Sequence, residues 1–192
     1  MRLFVACLLP SELRQELGGV RAALGGIEGQ GIPGLKWVDP ENLHVTLKFL
    51  GEVKPADARR VDAALGGHCQ EAVPFDCRVA RLGAFPSPSA LRVLWAGIET
   101  GAAEMGALAE AVEKALRPLG FERERRGFSA HITLARARDR VAMPALDGLA
   151  PGVPGKVFGE FRVEKFSLMQ SDLRPQGPVY TELSSYALSG RP

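Results

Sequence analysis

HVTLKFLG, residues 44–51, returns in altered form as HITLARAR at residues 131–138. Each stretch opens on histidine, places threonine two residues on, and flanks that threonine with branched apolar side chains. The 192-residue chain holds three histidines, so two of them head matched stretches. On a strand, residues two apart share a face. His44, Thr46 and Lys48 are therefore expected on one face, with Val45, Leu47 and Phe49 on the other. His131 and Thr133 likewise stand opposite Ile132 and Leu134. The apolar faces belong in a core, which leaves the His/Thr faces lining something polar.

The surroundings of the two stretches also match. RLFVACLL reads as a buried strand, and Pro10 and Ser11 open a helix whose Leu13, Leu17, Val20 and Leu24 form one apolar stripe. A Gly/Pro-rich loop then leads to NLHVTLKFLG. In the second half, LRVLWAGI reads as a strand, and Met105, Leu108, Val112, Ala115 and Leu116 stripe a helix closed by Pro118 and Gly120. A charged loop leads to FSAHITLAR. The histidines are 87 positions apart, while Leu17–Met105, Val20–Leu108, Leu24–Val112 and Leu3–Leu91 are each 88 apart. Agreement of three elements to within a residue points to an internal duplication, with approximate repeats 2–51 and 89–138. PADARRVDAALGG reads as a further helix, with lone His68 in the loop after it; FDCRVARLGAF, GEFRVEKFSLMQS and VYTELSSYAL read as strands. GLAPGVPG, residues 148–155, is too short for a domain linker. The expected fold is α+β: residues 1–192 form one bilobal domain. Two pseudo-two-fold-related, mainly antiparallel sheets carry helices on their outer faces and enclose a central groove.

Composition narrows the function. A chain with 46% hydrophobic and 24% charged residues builds an ordinary globular core. Net charge +2 is too close to neutral to advertise a large nucleic-acid surface and favours a local pocket over a basic stripe for any phosphate-bearing ligand. Cys7, Cys69 and Cys77 are odd in number and form no CxxC pair, which argues for a reducing compartment. No run approaches the ~20 apolar residues of a spanning helix, so a cytoplasmic protein is expected. HExxH, HxH and clustered Cys are absent, as are GxxxxGK[ST] and GxGxxG after a strand. Neither a zinc centre nor an ATP-dependent reaction is expected, and no cofactor.

Two imidazoles facing each other across a groove suit general acid–base chemistry. With an unperturbed pKa of ~6.5, one ring accepts a proton while the other donates. The threonine hydroxyls are placed to hold an oxyanion such as phosphate. The arrangement fits in-line displacement at phosphorus.

The paired HxT strands, HVTLKFLG and FSAHITLAR, resemble the two-histidine phosphoesterase superfamily. Within it they are most similar to the LigT-like RNA 2′,3′-cyclic phosphodiesterases, also called 2′-5′ RNA ligases. The likeness runs nearly end to end, through WVDPENLHVTLKFLGEV to a tail with S-x-L…G-x-x-Y in SLMQSDLRPQGPVYTEL. It implies two lobes facing across a groove and a metal-independent opening of a 2′,3′-cyclic phosphate at an RNA 3′ end to a 2′-phosphate. Attack by an RNA 5′-hydroxyl in place of water would give 2′-5′ ligation. The resemblance makes His44 and His131 the catalytic pair, and Thr46, Thr133 and Arg136 the phosphate ligands. It slightly favours His131 as water activator and His44 as acid. Ala130 stands where family members usually carry proline, a change that removes no catalytic group. Arg136 lies five residues after His131, so it reaches the groove only if the strand bends or ends near Ala135.

Further candidate RNA contacts are Lys48, from its place beside His44, and Arg123, Arg125 and Arg126 in the ERERR run, for which a solvated loop is the default. Phe4, Trp37 and Phe85 are candidates to stack a terminal base or to fill the core. Ser171 and Tyr180 hold family-like tail positions. The expected partner is an RNA end, for which tRNA fragments are plausible, bound by a monomer. Two alternatives remain open: a phosphodiesterase for a small cyclic nucleotide or ADP-ribose cyclic phosphate, and a non-catalytic RNA-end binding module.

Overall fold

In a computed structural model, residues 1–24, 34–68, 72–124, 127–141, 155–175 and 177–190 are described. Arg2–Leu8 is β1, Ser11–Leu24 α1, Leu35–Trp37 β2, His44–Glu52 β3, Pro55–His68 α2 and Phe75–Phe85 β4. Leu91–Thr100 is β5, Ala102–Leu116 α3, His131–Val141 β6, Val157–Val163 β7, Lys165–Arg174 β8 and Gly177–Ala187 β9. Helix α2 runs through His68, which was expected in the following loop; its side chain lies outside what the structure describes.

The strands form an antiparallel sheet in the order β7-β4-β5-β6-β3-β1-β8-β9, with β2 added against β6. The order is the same read from the centre toward either end: a histidine strand, then the strand opening its half, then two more. The two halves, expected as separate sheets, join through one residue pair, Val45↔Ile132. GEFRVEKFSLMQS, read as one strand stretch, is two strands separated by Glu164. β7 pairs with β4 in one half and β8 with β1 in the other. A one-residue link between distant strands requires the sheet to curl until its two ends approach each other.

Helices cover the outer side and cross between halves. The α1 stripe Leu13, Leu17, Val20 and Leu24 is buried, each such side chain contributing about 1.5–3 kcal/mol of transfer free energy. Although α1 follows β1, it packs on β7, and Lys156 pairs with Glu16 there. Helix α3 follows β5 yet packs on β3 and α2. The two halves therefore share one hydrophobic cluster, from Leu3 and Val5 to Leu94, Met105 and Phe166. A second, small cluster of Phe4, Ala6 and Met169, with Tyr180 against it, lies apart from the main core. No helix among the described residues is long and apolar enough to cross a membrane.

One contact of α1 reaches toward the histidine strand. A β-carbon on Gly18 would sit 2.8 Å from Pro40 Cγ, so glycine there lets the Pro40–Asn42 turn lie directly on the helix. Arg14 strengthens that seat, its guanidinium 3.1 Å from the Glu41 carboxylate. Gly19, one residue along, has nothing within 4 Å of such a β-carbon. Gly19→Ala is expected to stabilise the protein by about 0.5–1 kcal/mol through lost unfolded-state entropy. Gly18→Ala is expected to give no gain or a net loss, because Pro40 must move. Urea denaturation of the two variants beside the parent protein measures the difference.

Candidate active site

The two histidine strands do not alternate regularly. In β3, Thr46 lies opposite Ala6 and Lys48 opposite Val5, so Leu47 has no counterpart on β1. In β6, Thr133 lies opposite Trp95 and Ala135 opposite Leu94, so Leu134 has none on β5. Each strand thus carries a one-residue bulge immediately after its threonine, which exchanges the faces of the residues that follow as far as the next register shift, past Phe49 in β3 and past Arg136 in β6. The burial pattern shows the exchange: Leu47 and Lys48 are consecutive buried residues, as are Leu134 and Ala135.

The bulge corrects two expectations and completes a third. Lys48, expected beside His44 as an RNA contact, is 3% exposed on the helix side. Its ammonium donates to Glu113 Oε1 and to the Glu122 carbonyl, each at 2.8 Å. Phe49, expected in the core, is 54% exposed and lines the groove. Arg136 reaches the groove, the bulge at Leu134 supplying the needed change of face.

Antiparallel pairing about Val45↔Ile132 sets His44 across from Thr133 and Thr46 across from His131. The two histidines occupy one diagonal of this square, and in a regular ladder diagonal neighbours lie ~7–8 Å apart. Beside it runs a groove of about 500 Å³ whose polar walls are His44, Thr46, Thr133, Arg136, Arg2 and Ser171. Phe4, Phe49, Val38 and Tyr180 add apolar surface. His131 stands next to this wall rather than in it, its ring 5.1 Å from Phe85 and 6.4 Å from Trp95.

Both imidazoles are held the same way. His44 Nδ1–H donates to the Asn42 carbonyl at 2.8 Å, and His131 Nδ1–H donates to the Ser129 carbonyl at 2.7 Å. A carbonyl can only accept, so Nδ1 carries the proton in each ring. When the rings are neutral, Nε2 is the basic atom. His44 Nε2 lies 2.9 Å from Thr46 Oγ1, whose hydroxyl donates to it. No protein partner faces His131 Nε2 among the described residues.

Burial pushes His44 below its ordinary value of 6.5, and the charges of Arg136 and His131 push the same way against the opposing bond to Asn42. Burial and then Arg136 lower His131, against its bond to Ser129. Arg136 also lowers Tyr180, though burial of that phenol prevails and its pKa is raised.

The remaining expectations separate clearly. The Phe4 ring lies 4.9 Å from His44 in a tilted contact and 4.9 Å from Tyr180 in an edge contact, and it lines the groove. Trp37 packs against the main core, and Phe85 lies 5.2 Å from Trp95. That indole lies flat on Gly83, where a β-carbon would come within 2.1 Å of its Cζ2. Arg123 lines a separate cavity of about 570 Å³ with Glu110, Lys114 and Arg117, away from the histidines. Arg125 and Arg126 lie outside the described residues. Four contributors went unread in the sequence: Arg2, Asn42, Phe49 and Ser129. Arg2 was legible, because it precedes Phe4 and Ala6 by two and four on one strand face. No three His, Cys, Asp or Glu side chains among the described residues are grouped to hold a metal ion.

Comparison with known proteins shows the family and the fold. The family described as LigT like Phosphoesterase matches residues 8–95 and 98–180. An RNA 2′,3′-cyclic phosphodiesterase of Archaeoglobus fulgidus is 36% identical over 183 residues, 95% of this chain and 98% of that protein. One of Thermus thermophilus is 38% identical, covering 99% of this chain and 91% of the relative. A solved structure from T. thermophilus superposes with TM-score 0.77 at 37% identity, over 99% of each chain. E. coli LigT in complex with 3′-AMP superposes with TM-score 0.77 at 29% identity, over 98% of each chain. With both histidine strands inside the matched segments, this chain belongs to the LigT-like phosphoesterases.

Proposed function

We propose that the chain opens a 2′,3′-cyclic phosphate at an RNA 3′ end to a 2′-phosphate, with His44 and His131 as the acid–base pair. The observation that carries this reading is the shared anchoring of the two rings. Each Nδ1–H is bonded to a backbone carbonyl two residues upstream, which leaves each Nε2 for proton transfer. The relatives named RNA 2′,3′-cyclic phosphodiesterase supply the substrate class.

In the proposed step, water attacks phosphorus as His131 Nε2 takes its proton. The P–O3′ bond breaks, and His44 Nε2–H protonates the departing O3′. The open Nε2 of His131 suits it to water, whereas His44 Nε2 is already shared with Thr46. Thr46, Thr133 and Arg136 face the phosphate oxygens, and Arg136 balances the charge that builds on them. An RNA 5′-hydroxyl entering in place of water gives a 2′-5′ linkage from the same site. The reading includes a monomeric cytoplasmic protein and takes residues 2–51 and 89–138 as repeats of one ancestral unit.

The test is incubation with an oligoribonucleotide ending in 2′,3′-cyclic phosphate, in EDTA, with 2′-phosphate product followed by chromatography. His44→Ala and His131→Ala are each expected to lower kcat by about 10²–10⁴-fold, the usual share of a positioned acid or base. A small cyclic nucleotide turned over better than the oligonucleotide would move the assignment to small substrates. Binding without turnover by the parent protein would make the groove a recognition site only.

The pH profile follows from the direction of the shifts. Catalysis needs one proton on the pair, and both imidazoles are lowered from 6.5. The productive form is therefore lost as pH rises through the higher of the two lowered values, and it is lost again below the lower one. The kcat/KM maximum is expected below pH 6.5. Arg136→Gln removes a cation that lowers both rings, so the maximum is expected to move to higher pH while KM rises. Profiles of kcat/KM against pH for the two proteins check the sign.

A further inference from the structure

Strand β3 carries a sequence that fits a regular strand better than the one it forms. Plain alternation would send Lys48 outward with His44 and Thr46 and bury Phe49 beside Val45 and Leu47. The folded strand does the reverse beyond Leu47, burying a lysine and exposing a phenylalanine. Solvation opposes that choice on both counts. The second motif faces no such conflict: its bulge buries Ala135 and brings Arg136 out. Only the first bulge needs a specific interaction to hold it.

That interaction is visible on the helix side. Lys48 Nζ meets Glu113 Oε1 of α3 at 2.8 Å, with the two side chains 3% and 15% exposed. The same ammonium donates to the Glu122 carbonyl at 2.8 Å, and the same carboxylate oxygen accepts from Glu124 N–H at 3.3 Å. The pair thus ties β3 to the segment that leads into His131. On the groove side, Phe49 rests 6.1 Å from Phe4.

We propose that Glu113, through its buried pair with Lys48, is the register lock of the first histidine strand: it selects the bulged β3 that places Phe49 in the groove. Its role is positioning; it touches no substrate. Removing one member of a buried ion pair strands the other, whereas replacing both with apolar groups is tolerated. Glu113→Leu leaves the Lys48 ammonium buried without a counterion, held by the Glu122 carbonyl alone, and β3 escapes by straightening, with Lys48 out and Phe49 in. Lys48→Met added to Glu113→Leu puts apolar side chains in both positions of the same buried site, so solvation no longer opposes residue 48 facing the helices and its packing there restores the bulge.

The direct readout is the nuclear Overhauser cross-peak between the Phe4 and Phe49 rings, which needs no turnover. It is expected in the parent protein, lost in Glu113→Leu, and recovered in the double variant. The kinetic readout rests on the proposed function: KM for the cyclic-phosphate RNA rises about tenfold in Glu113→Leu, the size of a lost base-stacking contact, with kcat held, and returns in the double variant. A parent protein that leaves the cyclic phosphate intact overturns the function and leaves the cross-peak to decide the lock. Should the leucine variant not fold, Glu113→Gln, which keeps the shape and drops the charge, is expected to weaken the same cross-peak. A cross-peak of parental strength in the folded Glu113 variant, or its loss in the double variant, overturns the proposal.

Discussion

The groove depends on one extra residue in each histidine strand, placed directly after the threonine. Without Leu47 and Leu134 as unmatched positions, the motif faces would continue as plain alternation. Lys48 would then enter the groove, and Arg136 would point among the helices. A bulge is a local change with a consequence for the residues that follow it as far as the next register shift, because the side-chain period of a strand is two. Two such bulges at matching sites allow a sheet with apolar residues against its helices to present His, Thr and the sixth motif residue together on its other face.

The chemistry of the pair follows from how the backbone treats the rings. Asn42 and Ser129 each offer a carbonyl to the Nδ1–H of the histidine two residues on, and this fixes the tautomer before any ligand arrives. Asn42 is itself anchored, since its side-chain amide donates to the Pro178 carbonyl at 3.0 Å, close to Tyr180 on β9. The first histidine is thus supported from α1 through the Pro40 turn and from the tail strand through Asn42. Burial and Arg136 hold both rings toward the neutral form. An anionic phosphate entering between them acts in the opposite sense, so on the proposed reading the substrate itself helps protonate the acid.

Much of this could be read from the residues. The strand–helix–strand order, the α1 and α3 stripes and the facing of His44, Thr46, His131 and Thr133 all follow from periodicity, and the structure has them so. Periodicity failed where a tertiary contact outweighed it. Lys48 was misplaced because its counterion, Glu113, lies 65 residues away on a helix, and no local pattern announces that pairing. Arg136 was recognised as out of phase, yet the device that returns it to the groove is a register shift against β5, visible only once the strands are paired. β2 was read as loop because three residues are too few to show a period. The tail was read as a continuous run because nothing in GEFRVEKFSLMQS marks Glu164 as a crossing between distant strands.

The two halves differ where a directional ligand would require it. A two-fold groove has no direction, whereas an RNA end has a base on one side of its terminal phosphate. The positions just past the bulges are equivalent in the two strands, and they hold Phe49 in one and Arg136 in the other. The partners opposite the threonines differ as well, Ala6 in β1 and Trp95 in β5. Ala6 leaves room for Phe4, Phe49 and Tyr180 to gather beside His44 as an aromatic surface. Trp95 stands 6.4 Å from His131 on the other side, and Arg136 is the charge that acts on that ring. On the proposed reading the aromatic side receives the terminal nucleoside and the arginine side its phosphate. On that reading scaffold symmetry brings two histidines to one phosphorus, and side-chain asymmetry decides which way the RNA lies.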